Sequence, residues 1–480
     1  MAATLKTPIL GSSYVARSPN AADARMVNLI PEINAEGGKE PAFLFRAPGL
    51  LLRVTVGGGP IRGLWVFGGF LYAVSGQTLY KVTTSWIATP LGTIGGLGPV
   101  SMADNGTQLF IAANPLGYIY NASTAVFAQI TDGDFPGAQM VGYLDGFFVF
   151  NEPETQKFWV TALLDGTSVD PLDFASAEGF PDDVVSLIVD HRELWLFGTT
   201  TTEVWSNTGA SDFPFERFPG AFNEVGCIAP YSVAKMDNQI YWLGQDARGS
   251  GIVYRSEGYV AKRVSTHAVE WKIQMLGGLE DAIGYTFQQY GHMFYRLIIP
   301  GQPTSWQFDV ATGAWTEFAA WENGEWLRHR SNCQAFFNNM VLVGDYENGN
   351  IYELSPVTYA DNGETQRWLR SWRALPTGQN NLTRTVQHAL QLDCEAGVGL
   401  ASGQGSDPQV MLRWSDDGGH TWSNEHWISI GGIGEFGRDT IWRRLGMTVK
   451  LRDRVYEISG TDPVPITING AVLKLSGTAS

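Results

Sequence analysis

Cysteine, charge and long apolar runs are all scarce in this chain, and each shortage removes a class of protein. Only Cys227, Cys333 and Cys394 occur in 480 residues, far apart from one another. An odd and scattered set builds no disulfide framework. With no CxxC and no Cys/His cluster, neither a metal site nor a cofactor is expected. Such cysteine usage points to a reducing folding compartment. No run of eighteen apolar residues is present, so no membrane span is expected. The opening MAATLKTPILGSSYVARS lacks the charged-then-apolar order of a secretory signal. Charged residues are 17% against 44% hydrophobic, a balance that buries a core rather than leaving a disordered chain. Basic residues are outnumbered, 32 against 48 acidic, for a net charge of −16. A protein that grips duplex backbone carries a basic footprint, and this one has none overall.

What is abundant is glycine, at 56 residues, beside 12% aromatics. No Gly-X-Y period accompanies the glycines, which excludes collagen. Glycine with Trp, Tyr and Phe suits many short strands joined by tight turns. Two-strand units recur from about residue 60 to 356: LYAVSGQTLYKV from Leu71, then similar units from Leu109, Phe147, Leu194, Ile240, Met293 and Met340. Successive starts lie 38 to 53 residues apart, the length of one four-stranded propeller blade. A further strand-like run precedes most units, such as IRGLWVFGG from Ile61 and DVVSLIVDHR from Asp183. These take the place of a blade's innermost strand. One such sheet cannot bury both faces alone, whereas blades stacked around an axis can. No sustained helical period interrupts the array, and turn residues punctuate it every eight to twelve positions. The expected fold is all-β, with a β-propeller of six or seven blades over residues 51–356.

The ends differ from this array. Residues 1–50 read as an extended segment lying on other domains or subunits. Residues 357–480 read as a C-terminal β-sandwich or barrel domain, which the N-terminal segment can help complete. Residues 356–373 look like a connector. Charge is divided unevenly: residues 51–356 hold 15 Lys/Arg and 31 Asp/Glu, a net −16, while residues 361–480 hold 12 and 13. The propeller therefore carries the acidity, and near-neutral ends suit contacts between proteins.

None of the local motifs spells out a reaction. Ser415, Asp417, Gly419 and Trp422 fit S-x-D-x-G-x-T-W, which resembles the Asp-box of sialidases and related propellers. There it is a structural hairpin turn, as the turn chemistry of Asp and Gly suggests. Gly432, Gly434 and Gly437 fit GxGxxG, but no βαβ unit surrounds them, so a glycine-rich loop is expected. The His residues show no HExxH spacing, and neither a GxSxG elbow nor a Walker loop is present. Adjacent carboxylates such as Asp182 and Asp183 point to opposite faces of a strand and select no catalytic pair. Arg367, Arg370 and Arg373 alternate with Trp368 and Trp372, and Arg443 and Arg444 follow Trp442. Arg and Trp together favour interfaces, so these eight are the candidate interface residues.

The N-terminal run PILGSSYVARSPNAADARMVNLIPE (residues 8–32), then GGKEPAFLFRAPGLLL and GPIRGLW, resembles the packaged-DNA stabilisation proteins, tail-hub (nozzle) subunits of short-tailed, podovirus-type bacteriophages. SDDGGHTW and IWRRLG near the C-terminus are similar to that family too. The resemblance implies a structural virion protein rather than an enzyme, assembled in the bacterial host cytoplasm and resident in the virion tail. It implies a homo-hexameric ring below the portal and its adaptor ring, bearing spikes or fibres and holding a needle or plug. Phage DNA would slide through without specific binding. An acidic lining suits that task, since each Lys/Arg–phosphate contact adds affinity. The competing reading is a carbohydrate-active, sialidase-like propeller, motivated by the Asp-box and 17 Trp residues.

Overall fold

Between Ile61 and Ser355 the chain folds into seven consecutive antiparallel sheets. The structure is a computed structural model that describes residues 3–18, 22–177, 179, 181–376, 378, 384–448 and 454–477. The first sheet runs Ile61–Phe67, Phe70–Ser75, Thr78–Val82 and Ala88–Thr93 in order, and the second starts at Ser101–Asp104. Later sheets start at Val141–Leu144, Val184–Asp190, Ala234–Met236, Ile283–Gln289 and Ser331–Phe337. The seventh lacks an outer strand of its own. Gly49–Thr55, from before the first blade, pairs antiparallel with Asn350–Ser355 and supplies it. Seven blades thus close into a ring, within the range that the repeat spacing allowed.

Hydrophobic clusters explain why the ring holds. One lies at each of the seven seams. At the first, Tyr72, Val74 and Leu79 meet Met102, Leu109 and Ile111. At the last, Ala335, Phe337 and Leu342 meet Ile61, Leu71 and Ala73. Every blade therefore buries both faces. Near the axis the inner strands crowd, and glycine makes room. A Cβ on Gly63 would sit 2.6 Å from Val100, and one on Gly284 2.3 Å from the carbonyl of Ser232.

Six blades turn from first to second strand through two residues with positive φ: Gly68-Gly69, Asp145-Gly146, His191-Arg192, Asp237-Asn238, Tyr290-Gly291 and Asn338-Asn339. This is the hairpin turn whose twist matches the strands, and it favours Gly, Asn and Asp. His191-Arg192 departs from that preference. One helix, His267–Gln274, interrupts the strands between blades five and six, capped by the Thr266 hydroxyl. The turn-rich residue pattern carries no sustained helical period to announce it.

Beyond the ring, the described residues between 367 and 477 form a two-sheet sandwich together with strands of the N-terminal segment. One sheet is ordered Thr440–Arg443, Thr385–Cys394, Thr467–Gly477, Ala42–Arg46, Leu29–Ile33, with Ala3–Lys6 on Thr467–Gly477. The other runs Met26–Val27, Trp368–Arg373, Val455–Gly460, Gln409–Ser415, His426–Ser429. Between them lie Trp372, Leu390, Leu412, Tyr456, Ile458 and Leu473. The stretch expected as a connector thus ends in a central strand, Trp368–Arg373. Its alternating Trp residues face a core rather than solvent. Positions 377, 379–383, 449–453 and 478–480 of the expected C-terminal domain lie outside the described residues.

The His191-Arg192 turn yields a test. Bulky residues in left-handed geometry cost about 1 kcal/mol each, and the Arg192–Asp145 pair they offer is exposed and worth little. Replacing the pair by Asn-Gly (His191→Asn with Arg192→Gly) is expected to stabilise the propeller by about 1 kcal/mol. Denaturant titration checks this, and a loss of stability would show that the His191–Asp190 contact matters more than the strain.

Candidate functional site: the seam between propeller and sandwich

Functional geometry concentrates where the N-terminal segment runs between the two domains. Met26–Val27 is a strand of two residues with a partner on each side. It pairs with Trp315–Glu322, the outer strand of blade six, and with Trp368–Arg373 of the sandwich. Blade and sandwich thereby share one ten-stranded sheet. Asn28 follows in left-handed conformation, φ 54°, and is buried. Its Nδ2 donates to the carbonyls of Ala319 (2.8 Å) and Arg367 (2.7 Å), and its Oδ1 accepts from the Ala319 amide (3.1 Å). One side chain therefore hydrogen-bonds both domains. Asn is suited to this, since it tolerates positive φ and carries both a donor and an acceptor.

Glu317 and Arg370, both buried at the seam, find partners on the N-terminal segment, which straps the two domains together. Glu317 is buried on blade six. It accepts from Arg25 Nε (3.0 Å) and the Ser13 hydroxyl (2.9 Å), with Lys272 Nζ 3.5 Å away. Burial alone would raise its pKa, but these cations and the hydroxyl hold it below the usual range. Arg370 is buried on the sandwich side, its pKa pushed down to about 10 by desolvation. Instead of a carboxylate it finds the carbonyls of Ile9 (2.6 Å), Ser12 (3.2 Å) and Ala24 (3.3 Å). Trp372 Nε1 donates to the Thr7 hydroxyl at 2.9 Å. Arg46, also buried, bonds the carbonyls of Gln366, Asp462 and Val464. Close to it Asp361 is buried, and desolvation raises its carboxyl to about 6.

Of the eight candidate interface residues, Trp368, Arg370, Trp372 and Trp442 are therefore spent inside the chain. Trp442 Nε1 donates to the His426 carbonyl. Arg367 spans the seam, with its guanidinium 4.4 Å from the Trp321 ring and its Nη2 on Ser459 and Glu425. Arg373 is half-buried at the far end of the same strand, and Arg443 and Arg444 are exposed. The composition signalled an interface, and Arg367, Arg370 and Trp372 form one between parts of a single chain. The sequence reading missed Arg25, Asn28, Arg46 and Glu317. A signal existed for Glu317: a carboxylate in the aromatic run WTEFAAWE demands a buried partner.

The Asp-box residues form a turn between Gln409–Ser415 and His426–Ser429. Asp417 accepts from the amides of His420 (3.0 Å) and Thr421 (2.9 Å) and from the hydroxyls of Ser415 and Thr421. These bonds hold its carboxyl far below the usual range. The Gly419 amide donates to Ser415 Oγ, and Trp422 Nε1 donates to the Gly419 carbonyl. Each polar group of the motif is used within the turn. Gly432, Gly434 and Gly437 lie in a loop with no helix after it.

Along the propeller axis runs a cavity of about 490 Å³. Inner strands of the blades line it with Leu64, Met102, Met140, Leu187 and Tyr285. It continues into a mouth of about 610 Å³ lined by Arg62, Tyr231, Arg328 and Tyr346. A shaft of this size is that of a small-ligand pocket and cannot pass a duplex.

Two outcomes follow from the seam. Asn28→Ala removes three buried hydrogen bonds and leaves their partners unpaired. A loss of about 2–4 kcal/mol is expected, with protease cleavage between propeller and sandwich appearing before either domain unfolds. Unchanged cleavage and melting would refute the clamp. For Asp361 the folded pKa lies above the ordinary 3.8, so the native state binds a proton more tightly than the unfolded one. Its contribution is fully present below about pH 4 and lost as pH rises through about 6, an effect of up to roughly 3 kcal/mol. Stability against pH for Asp361→Asn should lack that fall, as denaturant titrations from pH 4 to 7 would record.

Comparisons with known proteins agree with this architecture. The family described as bacteriophage P22 Gp10, β-propeller, matches residues 5–359. Bacteriophage P22 Gp10, β-sandwich, matches residues 367–476. A search of the curated proteins finds no match. Among solved structures, the β-propeller domain of Myceliophteria thermophila Cps50 (Swd1) is similar at 9% identity and TM-score 0.42, over 63% of this chain and 98% of that one. The N-terminal domain of Nup159 is similar at 10% and 0.40, over 69% and 98%. The computationally designed Ika8 protein is similar at 11% and 0.39, over 63% and 98%. Likenesses this distant carry no argument about function, whereas the family matches span nearly the whole chain. The chain belongs to the bacteriophage P22 Gp10 family, a family of structural proteins that stabilise packaged phage DNA.

Proposed function

We propose that this chain is the subunit of a tail-hub (nozzle) ring in a short-tailed phage. Copies of it, six in the reading favoured by the family resemblance, surround the DNA path below the portal and adaptor. The ring helps retain packaged DNA, carries spikes or fibres, and receives a needle or plug. Family membership over both domains is the observation that carries this reading. The axial shaft adds a physical argument: DNA cannot pass through a propeller this closed, so a conduit has to be built between copies. A ring subunit also needs its two domains held at a fixed angle, which the shared sheet and Asn28 supply.

Charge gives the reading a mechanism. The propeller's net −16 repels phosphate, so DNA moves past without the counterion-release affinity that Lys and Arg confer. Arg443 and Arg444, exposed on the near-neutral sandwich, are the remaining candidates for contacts with neighbouring proteins.

Electron microscopy of the assembled particle tests the proposal, with a sixfold ring at the tail as the expected image. A monodisperse monomer that is absent from virions would sink it. Replacing exposed propeller Asp and Glu that face the lumen by Asn and Gln is expected to slow genome ejection while assembly proceeds normally. Ejection at the unmodified rate would remove the electrostatic part of the proposal.

A further inference from the structure

We propose that the axial mouth of the propeller binds a small monocarboxylate, with its charged head between Arg328 and Arg62 and its apolar body in the shaft. Three observations converge on this. First, the cavity has two chemically distinct parts that join. Arg62, Tyr231, Ile283 and Asn332 line both the shaft and the mouth. Below them the wall is largely Leu64, Met102, Met140, Leu187 and Val189, with Asp104 and Lys235 also in the lining. At the mouth the charged side chains of Arg62, Arg328, Glu280 and Asp281 stand among Pro, Gly and Leu. A ligand with one charged end and one apolar end matches that division, and the volumes lie in the range of small-molecule sites.

Second, donors at the junction are left over. Arg328 lies on its side against Tyr346, 4.2 Å from the ring, and gives Nη2 to Ser331 and Asn332. Its Nε is buried without a hydrogen-bond partner. Among the described residues no carboxylate lies within ion-pair distance of it, because Arg330 takes Glu322, Asp345 and Glu347. Arg62 is buried and satisfied by the carbonyls of Gly76, Gly95 and Gly98, again without a carboxylate. Two guanidinium groups thus line one mouth without an ion pair among the described residues, with the carboxylates of Glu280 and Asp281 on the same rim. An unpaired buried donor is costly, and a carboxylate is the group a guanidinium fork fits best. The Tyr231 hydroxyl makes no hydrogen bond within the described chain and stands beside them as a further donor.

Third, the rim selects against large polyanions. Glu280 and Asp281 are exposed at the mouth. They repel a phosphate backbone, whereas a single carboxylate that passes them reaches the arginines.

Titration calorimetry of the full-length protein is the test, with acetate, octanoate, inorganic phosphate and a short DNA duplex as probes. Octanoate is expected to bind and to bind at least about tenfold tighter than acetate, since each buried CH₂ adds about 0.8 kcal/mol. Phosphate and the duplex should give no saturable heat. Arg328→Gln should weaken octanoate at least about tenfold, the loss of one charge-assisted hydrogen bond. Tyr231→Phe leaves the arginines in place and should weaken it severalfold, so it decides the matter if Arg328→Gln fails to fold. Absence of octanoate binding overturns the proposal, as does equal binding of acetate and octanoate. Phosphate or duplex binding tighter than octanoate, or unaltered octanoate affinity in both variants, also overturns it.

Discussion

Two residues of backbone, Met26 and Val27, hold this molecule in one piece. They are hydrogen-bonded to blade six on one side and to the sandwich on the other, and Asn28 repeats the arrangement with its side chain. Without them the propeller and the sandwich would lose their shared sheet and keep the chain at Gln366–Trp368 with side-chain contacts such as Arg367 on Trp321. Domains linked that way move relative to one another by default. Sheet continuity replaces that freedom with a ladder whose groups are all buried, so leaving it open would strand amides and carbonyls away from water.

The same strap explains the buried charges. Arg370 and Arg46 lie in places where a lone guanidinium would be poorly solvated, and both have their pKa pulled down by burial. Each is surrounded by backbone carbonyls rather than a single counter-ion. Arg370 takes its carbonyls from Ile9, Ser12 and Ala24 of the N-terminal segment, whereas Arg46, itself on that segment, takes them from Gln366, Asp462 and Val464. Glu317 reverses the sign: a carboxylate on the blade, answered by Arg25 and Ser13 from the strap. The N-terminal segment thus fits donors on the sandwich and an acceptor on the propeller at once, which restricts it to one register.

The closure of the ring is a second consequence of where this segment goes. After leaving the sandwich it becomes Gly49–Thr55 and completes blade seven. The ends of the propeller are tied by strand pairing, and a hydrophobic cluster sits at that last seam as at the other six. A closed ring tied to a sandwich suits a structural protein of the family to which the chain belongs. The narrow, largely apolar shaft at its centre is free for other chemistry.

Much of this was legible in the sequence. Repeat spacing gave the propeller because each blade needs four short strands, and that length recurs whatever the residues. The sandwich showed in alternating apolar and polar positions, which follow from the two faces of a strand. The charge division came from counting. What tertiary structure alone decided is where the polar exceptions go. Arg370 and Trp372 look like interface residues in any local reading, because a local pattern reports that a side chain wants a partner and not whose. Their partners, Ile9, Ser12 and Thr7, are more than 350 residues away. Asn28 and the mouth arginines were invisible for the same reason, and Glu317 showed only that it needed a partner: hydrogen bonds and cavities form between segments distant in sequence, and no period or composition records which segments meet.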